Sequence, residues 1–287
     1  MPVRATIFQR CHVWLLDNGM DELGIIGARF GGDVDHGLRE LDARGVGAIV
    51  PKLQDGQQEV NVGLVADLKA RFARLGLQRL RLAGGWSQNR GHQNARPDAE
   101  KSNGLVVREG CDFWVSTCED DTYKAEPGTE RWQGLTTFVD RCLEIEPMRT
   151  MMLRRGAWGF CYLPNEPAGP FFDWASVRRA RGRAVAQCYP NEFPNAPRQW
   201  PHEALEIGVR GFPQFPPPYG HPLVGQHASR VPVTAMQYLE SLQRAKAEKL
   251  FTFGYAIYGA HHATVQEWDA YGAVNLQERT PNALALA

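Results

Sequence analysis

The chain has 287 residues, 43% of them hydrophobic, with 32 basic and 32 acidic side chains. That length suits one α/β barrel, typically about 250 residues, and the balanced charge excludes a protein that grips nucleic acid through a basic surface. No apolar run reaches the ~18–20 residues that span a bilayer, and the first ten residues lack the apolar core of a secretory signal, so neither membrane insertion nor a leader is expected.

In chain order, residues 5–16 hold apolar residues at mixed spacing (Ile7, Phe8, Val13, Trp14, Leu15, Leu16) and read as short strands or an N-terminal arm, residues 1–22, closed by the turn Asp17-Asn18-Gly19. From Leu23 a rhythm begins. Leu23 to Phe30 is a short apolar run ended by Gly31-Gly32-Asp33 and reads as the first strand; Val34 to Arg44 has helical spacing and stops at Gly45. Val46 to Val50 is a second strand, Val60 to Leu75 a helix stopped by Gly76, and Leu77 to Ala83 a third strand made half polar by Arg79 and Arg81. Residues 95–109 read as a weak helix or loop.

Phe113 to Cys118 is the fourth strand, followed at once by Glu119, Asp120 and Asp121. A helix over Glu130 to Leu143, a fifth strand over Ala157 to Leu163, a short helix over Phe171 to Ala180 and a sixth strand over Ala184 to Tyr189 continue the alternation. Then come a helical fragment at Glu203 to Val209, a stiff Pro-rich loop around Pro216, a seventh strand at Leu223 to His227, a helix over Val233 to Lys249, an eighth strand at Phe251 to Tyr258 and a closing helix at Val265 to Tyr271. Short apolar runs alternating with amphipathic helices indicate a parallel sheet. Eight repeats favour a closed (β/α)8 barrel over residues 23–272, with a C-terminal tail at 273–287, over an open doubly wound sheet. No glycine-rich phosphate loop follows any strand, and no cofactor is expected.

The six cysteines include no C-x-x-C pair, which argues against a structural zinc site; they are expected to be reduced and buried. Adjacent His261 and His262 lack a metal-binding motif and read as loop residues, so no metal site is assigned.

In such a barrel one face collects the strand ends. These are Arg29 and Asp33; Lys52, Gln54 and Asp55; Trp86, Gln88 and Asn89; Glu119, Asp120 and Asp121; Tyr162, Asn165 and Glu166; Tyr189, Asn191 and Glu192; His227; and Tyr258, His261 and His262. Aromatic faces stack on sugar rings while amides and carboxylates bond to hydroxyls. The same residues also suit ordinary polar loops. As sugar-binding candidates the set offers Trp86, Asn89, Tyr162, Asn165, Tyr189, Asn191 and Tyr258. Glycoside hydrolysis needs two carboxyls, about 5–5.5 Å apart for retention or about 6.5–9.5 Å for inversion, one of them held protonated by its surroundings. Glu119, which directly follows the apolar strand, is the first candidate; Asp121 and Glu192 are candidates for the second, with Glu166 in reserve.

Gly45 to Gly56 at strand two, Asp112 to Asp120 at strand four and Phe251 to Gly259 at strand eight together resemble glycoside-hydrolase-like TIM barrels, and most nearly the divergent ones among minor tail proteins of phages of actinobacteria. The resemblance implies a barrel that binds or cleaves cell-wall or surface polysaccharide in a virion tail, docking other tail proteins through residues 1–22 and 273–287. Outside a phage, the absence of a leader would imply the cytoplasm. Two departures stand out. Strand four ends in Glu119-Asp120-Asp121 where lysozyme-like barrels of this kind show D-x-E, and His227 follows strand seven where a carboxylate would stand. Either fits a second role, a non-catalytic structural or receptor-binding subunit with a degenerate site.

Overall fold

A computed structural model describes residues 11–117, 132–155, 157–162, 173–186, 223–225 and 255–277. The strands are β1 Cys11–Leu15, β2 Val46–Asp55, β3 Gln58–Glu59, β4 Leu82–Ala83, β5 Gly85–Gln88, β6 Trp114–Thr117, β7 Trp158–Tyr162, β8 Arg183–Ala186, β9 Leu223–Gly225 and β10 Tyr255–Tyr258. They form one sheet in the order β8-β7-β6-β5-β2-β1-β10-β9, with β3 and β4 branching from β2. Every neighbour along that order pairs in parallel; β3 is an antiparallel flap on β2. With β4 and β5 taken as two pieces of one barrel strand, eight strand positions follow each other around the sheet.

Helices α1 Gly19–Arg29, α2 Val34–Ala43, α3 Leu64–Leu75, α4 Ala95–Glu109, α5 Trp132–Glu144, a short α6 Met148–Thr150, α7 Trp174–Arg179 and a closing helix Val265–Gln277 fill the crossovers. Local sequence explains their ends. The Asp33 carboxylate accepts the His36 N–H (2.9 Å) and so caps α2. Both Glu109 oxygens accept the Gly63 N–H at the start of α3 (3.0 and 2.9 Å). Gly76 and Gly110 end α3 and α4 in the left-handed region, with φ of 64° and 66°.

The first strand differs from the sequence reading. Leu23 to Phe30 is not a strand: Gly19–Arg29 is a helix that buries Glu22, Leu23, Ile26 and Gly27 on one side and leaves Ile25 exposed. Gly27 of α1 and Gly37 of α2 serve helix packing. A Cβ on Gly27 would lie 2.0 Å from the Asp33 carbonyl oxygen, and one on Gly37 would lie 2.9 Å from the Gly27 Cα. The strand is instead Cys11–Leu15, inside the segment read as an arm, hydrogen-bonded between β2 and β10. The third strand is also displaced. Leu77 to Arg81 lie outside it, and the backbone N–H groups of Arg79 and Leu80 both donate to Asp42 Oδ1 (2.6 and 2.7 Å), which holds this half-polar stretch as a connection. Residues 95–109 form a full helix rather than a loop. Strand four, the fifth strand and the short helix at Trp174–Arg179 lie where the alternation puts them. The helices read at Glu203 to Val209 and at Val233 to Lys249 lie outside the described residues.

The inner face is identified by contacts that skip neighbouring strands. His12 of β1 stacks on Phe113, just before β6, with ring centroids 4.9 Å apart, although β2 and β5 stand between them in the sheet. That contact crosses the barrel interior. Alternation along β1 puts Trp14 on the same face, and Trp14 stacks on Trp86 of β5 (5.5 Å, 27°). On the outer face Trp114, Trp158 and Phe138 of α5 pack together, at 6.3 Å for the first pair and 6.2 Å for the second. Cys11, Cys111, Cys142 and Cys161 are buried and not joined in disulfides, as expected for small apolar residues in a core; Cys118 and Cys188 lie outside the described residues.

Candidate functional site at the strand ends

The C-terminal ends of β1, β2, β5 and β10 converge on one aromatic floor. Trp86 is its centre. It is only 3% exposed, its indole N–H donates to the Leu15 carbonyl (2.9 Å), and it meets Tyr258 edge-on at 6.3 Å. The Lys52 ammonium sits 5.4 Å from the centre of its ring, a cation–π geometry. Lys52, Trp86 and Val115 are register partners on successive strands, which places all three on the inner face.

Above the floor runs a belt of paired charges. Lys52 Nζ lies 2.9 Å from Asp17 Oδ1, beyond β1, and 2.9 Å from Asp55 Oδ2, at the end of β2. Asp55 also receives Arg90, beyond β5, through Nε and through a second bond of 3.1 Å. Burial on its own would raise the Asp55 carboxyl, but the Arg90 and Lys52 hydrogen bonds and charges together hold it below the usual aspartate value. Three strand exits are thereby fastened by one alternating row of charge. Asn61 fixes the same corner from below: its amide donates to the carbonyls of Leu16 (2.5 Å) and Lys52 (2.8 Å), and its oxygen accepts the Gly19 N–H (2.9 Å).

The strand-end candidates are thus sorted by direction. Lys52 points inward and Asp55 stands on the rim, whereas Gln54 turns outward to α4, accepting from Ser102 (2.6 Å) and donating to the Asp98 carbonyl (3.3 Å). Asn89 is buried, and its N–H donates to the Thr117 carbonyl (3.3 Å). Tyr258 is partly buried on the wall of the mouth, and Tyr162 ends β7. Asp33 is a helix cap rather than a strand-end group. Arg29 ends α1, yet its Nε reaches the carbonyl of His261 beyond β10 (3.0 Å). Glu119, Asp120, Asp121, Asn165, Glu166, Tyr189, Asn191, Glu192 and His227 lie outside the described residues. On strand four the inward residues are Phe113, Val115 and Thr117. Asp112, before the strand, supports the opposite end of the barrel, accepting from Ala83 N–H (2.9 Å) and Lys69 (2.8 Å).

Asp17, Arg90 and Glu22 were not among the strand-end groups. The first two sit just past strands whose ends were misplaced or shortened. Glu22 is on a helix whose first turn lies in the segment read as an arm; its carboxylate accepts the Leu16 N–H (3.0 and 3.1 Å) and lies 3.1 Å from His261 Nδ1. Burial raises its carboxyl above the ordinary value, against the pull of the Leu16 and Asn18 N–H groups and of His262. The His261 and His262 rings pack 4.0 Å apart. Among the described residues, no group of three His, Cys, Asp or Glu is placed to hold a metal, and no helix is long and apolar enough to cross a membrane.

Parallel strands in cyclic order, with helices outside and the site at their C-terminal ends, define the architecture. This is a TIM-type (β/α)8 barrel. Solved structures agree. A GH18 chitinase from the chitin utilization locus of Flavobacterium johnsoniae superposes with a TM-score of 0.58 at 11% identity, over 94% of each chain. A glycoside hydrolase family 18 N-acetylglucosaminidase from Paenibacillus barengoltzii gives 0.57 at 10% identity, over 92% of this chain and 99% of that one. The catalytic domain of a hyperthermophilic chitinase from Pyrococcus furiosus gives 0.56 at 9% identity, over 95% and 96%. At such identities the likeness is one of fold. No family model and no curated protein matches the sequence.

Proposed function

We propose that this barrel binds an N-acetylglucosamine-containing wall or surface polysaccharide at the C-terminal mouth, as a subunit of a phage tail tip. The observation that carries binding is the mouth itself: Tyr258 on its wall, an alternating Asp17–Lys52–Asp55–Arg90 belt to meet hydroxyls, and a closed tryptophan floor beneath. The named substrates of the neighbouring folds, chitin and N-acetylglucosaminides, supply the sugar class. The virion role rests on the sequence resemblance. Docking to other tail proteins is proposed for the parts of residues 1–22 and 273–287 that lie outside β1, α1 and the closing helix.

A hydrolase is the second reading. One observation favours it: Glu119 keeps the sequence parity of the inward residues Phe113, Val115 and Thr117. One observation opposes it: those three residues bring no carboxylate to the inner face of strand four. Retention on insoluble chitin and on purified actinobacterial cell wall tests binding. Wild type and Glu119→Gln should be retained alike, and Tyr258→Ala about tenfold more weakly, a loss of about 1.4 kcal/mol. A folded wild-type protein retained by neither polymer would refute the reading. Release of reducing sugar by wild type and not by Glu119→Gln would establish the hydrolase instead.

A further inference from the structure

Most charged groups at the mouth spend their bonding capacity inside the protein. Both Asp55 oxygens are taken, Oδ2 by Lys52 (2.9 Å) and Arg90 (3.1 Å), and Oδ1 by Arg90 Nε. Both Glu22 oxygens accept the Leu16 N–H. The Lys52 side chain is 6% exposed, and its ammonium lies between two carboxylates and the Trp86 ring. Asp17 differs. Its Oδ1 lies 2.9 Å from Lys52 Nζ, but its side chain is 63% exposed, and among the described residues nothing bonds to Oδ2.

The turn that carries Asp17 is fixed on both sides. Before it, the Leu16 N–H donates to Glu22 and the Leu16 carbonyl accepts the Asn61 amide. After it, the Asn18 carbonyl accepts the Glu22 N–H (3.0 Å) and the Gly19 N–H donates to Asn61 Oδ1 (2.9 Å). The carboxylate itself is held by an ammonium buried beneath it. An acid on a free surface side chain gains little from one more bond, because it must first be ordered; Asp17 is ordered in advance. A carboxylate only accepts, so from a ligand it takes a hydroxyl, amide or ammonium hydrogen.

We propose that Asp17 is a specificity-determining residue of the mouth, whose open oxygen takes a hydrogen from the sugar and so selects neutral or cationic chains over carboxylate-bearing ones. This rests on the polysaccharide binding proposed above. A carboxymethylated sugar gives up a hydroxyl hydrogen and brings a like charge, which complementary surfaces avoid. Lys52 does not answer that charge, because its ammonium is buried and already flanked by Asp17 and Asp55. A deacetylated sugar offers an ammonium, whose bond to a carboxylate is about twice as strong as a neutral one.

The test titrates the full chain by calorimetry with three hexamers: N-acetylglucosamine, glucosamine, and 6-O-carboxymethylated N-acetylglucosamine. The buffer is mildly acidic, so that the amine is protonated and the carboxymethyl group ionised. Wild type should bind the glucosamine hexamer about tenfold or more tighter than the carboxymethylated one, with the N-acetylated hexamer between them. Asp17→Asn keeps an acceptor oxygen and drops the charge. It should bind the N-acetylated hexamer within about threefold of wild type and shrink the spread between the other two to about threefold. Asp17→Ala should lose about tenfold on the N-acetylated hexamer. Asp21→Asn removes the same charge from the exposed first turn of α1, outside the belt, and should leave the spread as it is. Urea midpoints set the folded fraction of each variant. An equal loss on all three hexamers in the Asp17 variants would make Asp17 only a structural partner of Lys52 and overturn the inference. A spread unchanged in Asp17→Asn, or shrunk as much in Asp21→Asn, would overturn it too. Wild-type binding to the N-acetylated hexamer that Asp17→Ala leaves intact would refute Asp17 alone. A folded wild type that binds no hexamer would refute the polysaccharide reading itself, and this inference with it.

Discussion

Replacing Trp86 separates a barrel floor from a sugar platform. The indole is 3% exposed, stacked on Trp14, and bonded through its N–H to Leu15. Trp86→Ala removes a buried ring and leaves a cavity between Trp14, Lys52 and Tyr258, a change that costs about 3–5 kcal/mol in packed cores. Trp86→Phe keeps most of the stacking but removes the donor to Leu15, and leaving a buried carbonyl unpaired costs about 1–3 kcal/mol. Urea unfolding followed by far-UV circular dichroism should therefore rank wild type above Trp86→Phe above Trp86→Ala, with midpoints shifting at an unchanged slope. Polysaccharide retention per folded molecule should change little in Trp86→Phe. The reasoning is refuted if Trp86→Ala costs less than about 1 kcal/mol while abolishing retention; the ring would then be a binding face.

Two further predictions follow from the same region. Gly84→Ala would put a Cβ 2.7 Å from two atoms of the Phe113 ring, and overpacking of this kind costs about 1–3 kcal/mol; pairing it with Phe113→Leu should recover part of the loss in a double-mutant cycle, and strict additivity would count against the clash. The pH dependence of stability should carry two opposite signatures. Glu22 has a folded value raised above 4.5, so its penalty is absent below that value and grows as pH rises towards the folded one; Glu22→Gln should lack this decline. Asp55 has a folded value below 3.8, so its contribution is complete above 3.8 and is lost as pH falls through the folded value. Urea midpoints across pH should show Asp55→Asn less stable than wild type at neutral pH and converging with it in acid. Parallel curves for wild type and either variant would refute the corresponding assignment.

The eight-fold rhythm was legible because it rests on repetition: β2 opens on the apolar run Val46 to Val50, Phe113 to Val115 lead into β6, and β7 is apolar from Trp158 to Cys161, as expected for strands covered on both faces. The first strand was misread because Leu23-Gly24-Ile25-Ile26-Gly27 looks like a run, while its last glycine, Gly27, lets α1 lie against the start of α2. Periodicity over so few residues does not separate a strand from one buried helix side. The real strand, Cys11–Leu15, carries a histidine that finds its place only through Phe113 across the barrel, a contact invisible to any local pattern. The site divides in the same way. Trp86, Lys52, Asp55 and Tyr258 could be found because they stand at strand ends. Trp86 as floor rather than platform could not, since its burial comes from Trp14 and Leu15, far away in sequence. Glu22 gave no signal, because it follows the turn Asp17-Asn18-Gly19 at the end of a segment read as an arm, where a carboxylate is ordinary.

The placement of Cys11–Leu15 between β2 and β10 has a consequence for how the chain folds. One edge of that strand can zip onto Val46 to Pro51 soon after both have been made, but its other edge waits for Tyr255 to Tyr258, nearly the whole chain later. During that interval an apolar strand offers an open row of backbone donors and acceptors, the kind of edge that recruits another chain. Closure at β10 is a contact of extreme sequence separation, so it should be slow relative to the local strand–helix repeats. The last barrel strand to emerge thus retires the hazard created by the first.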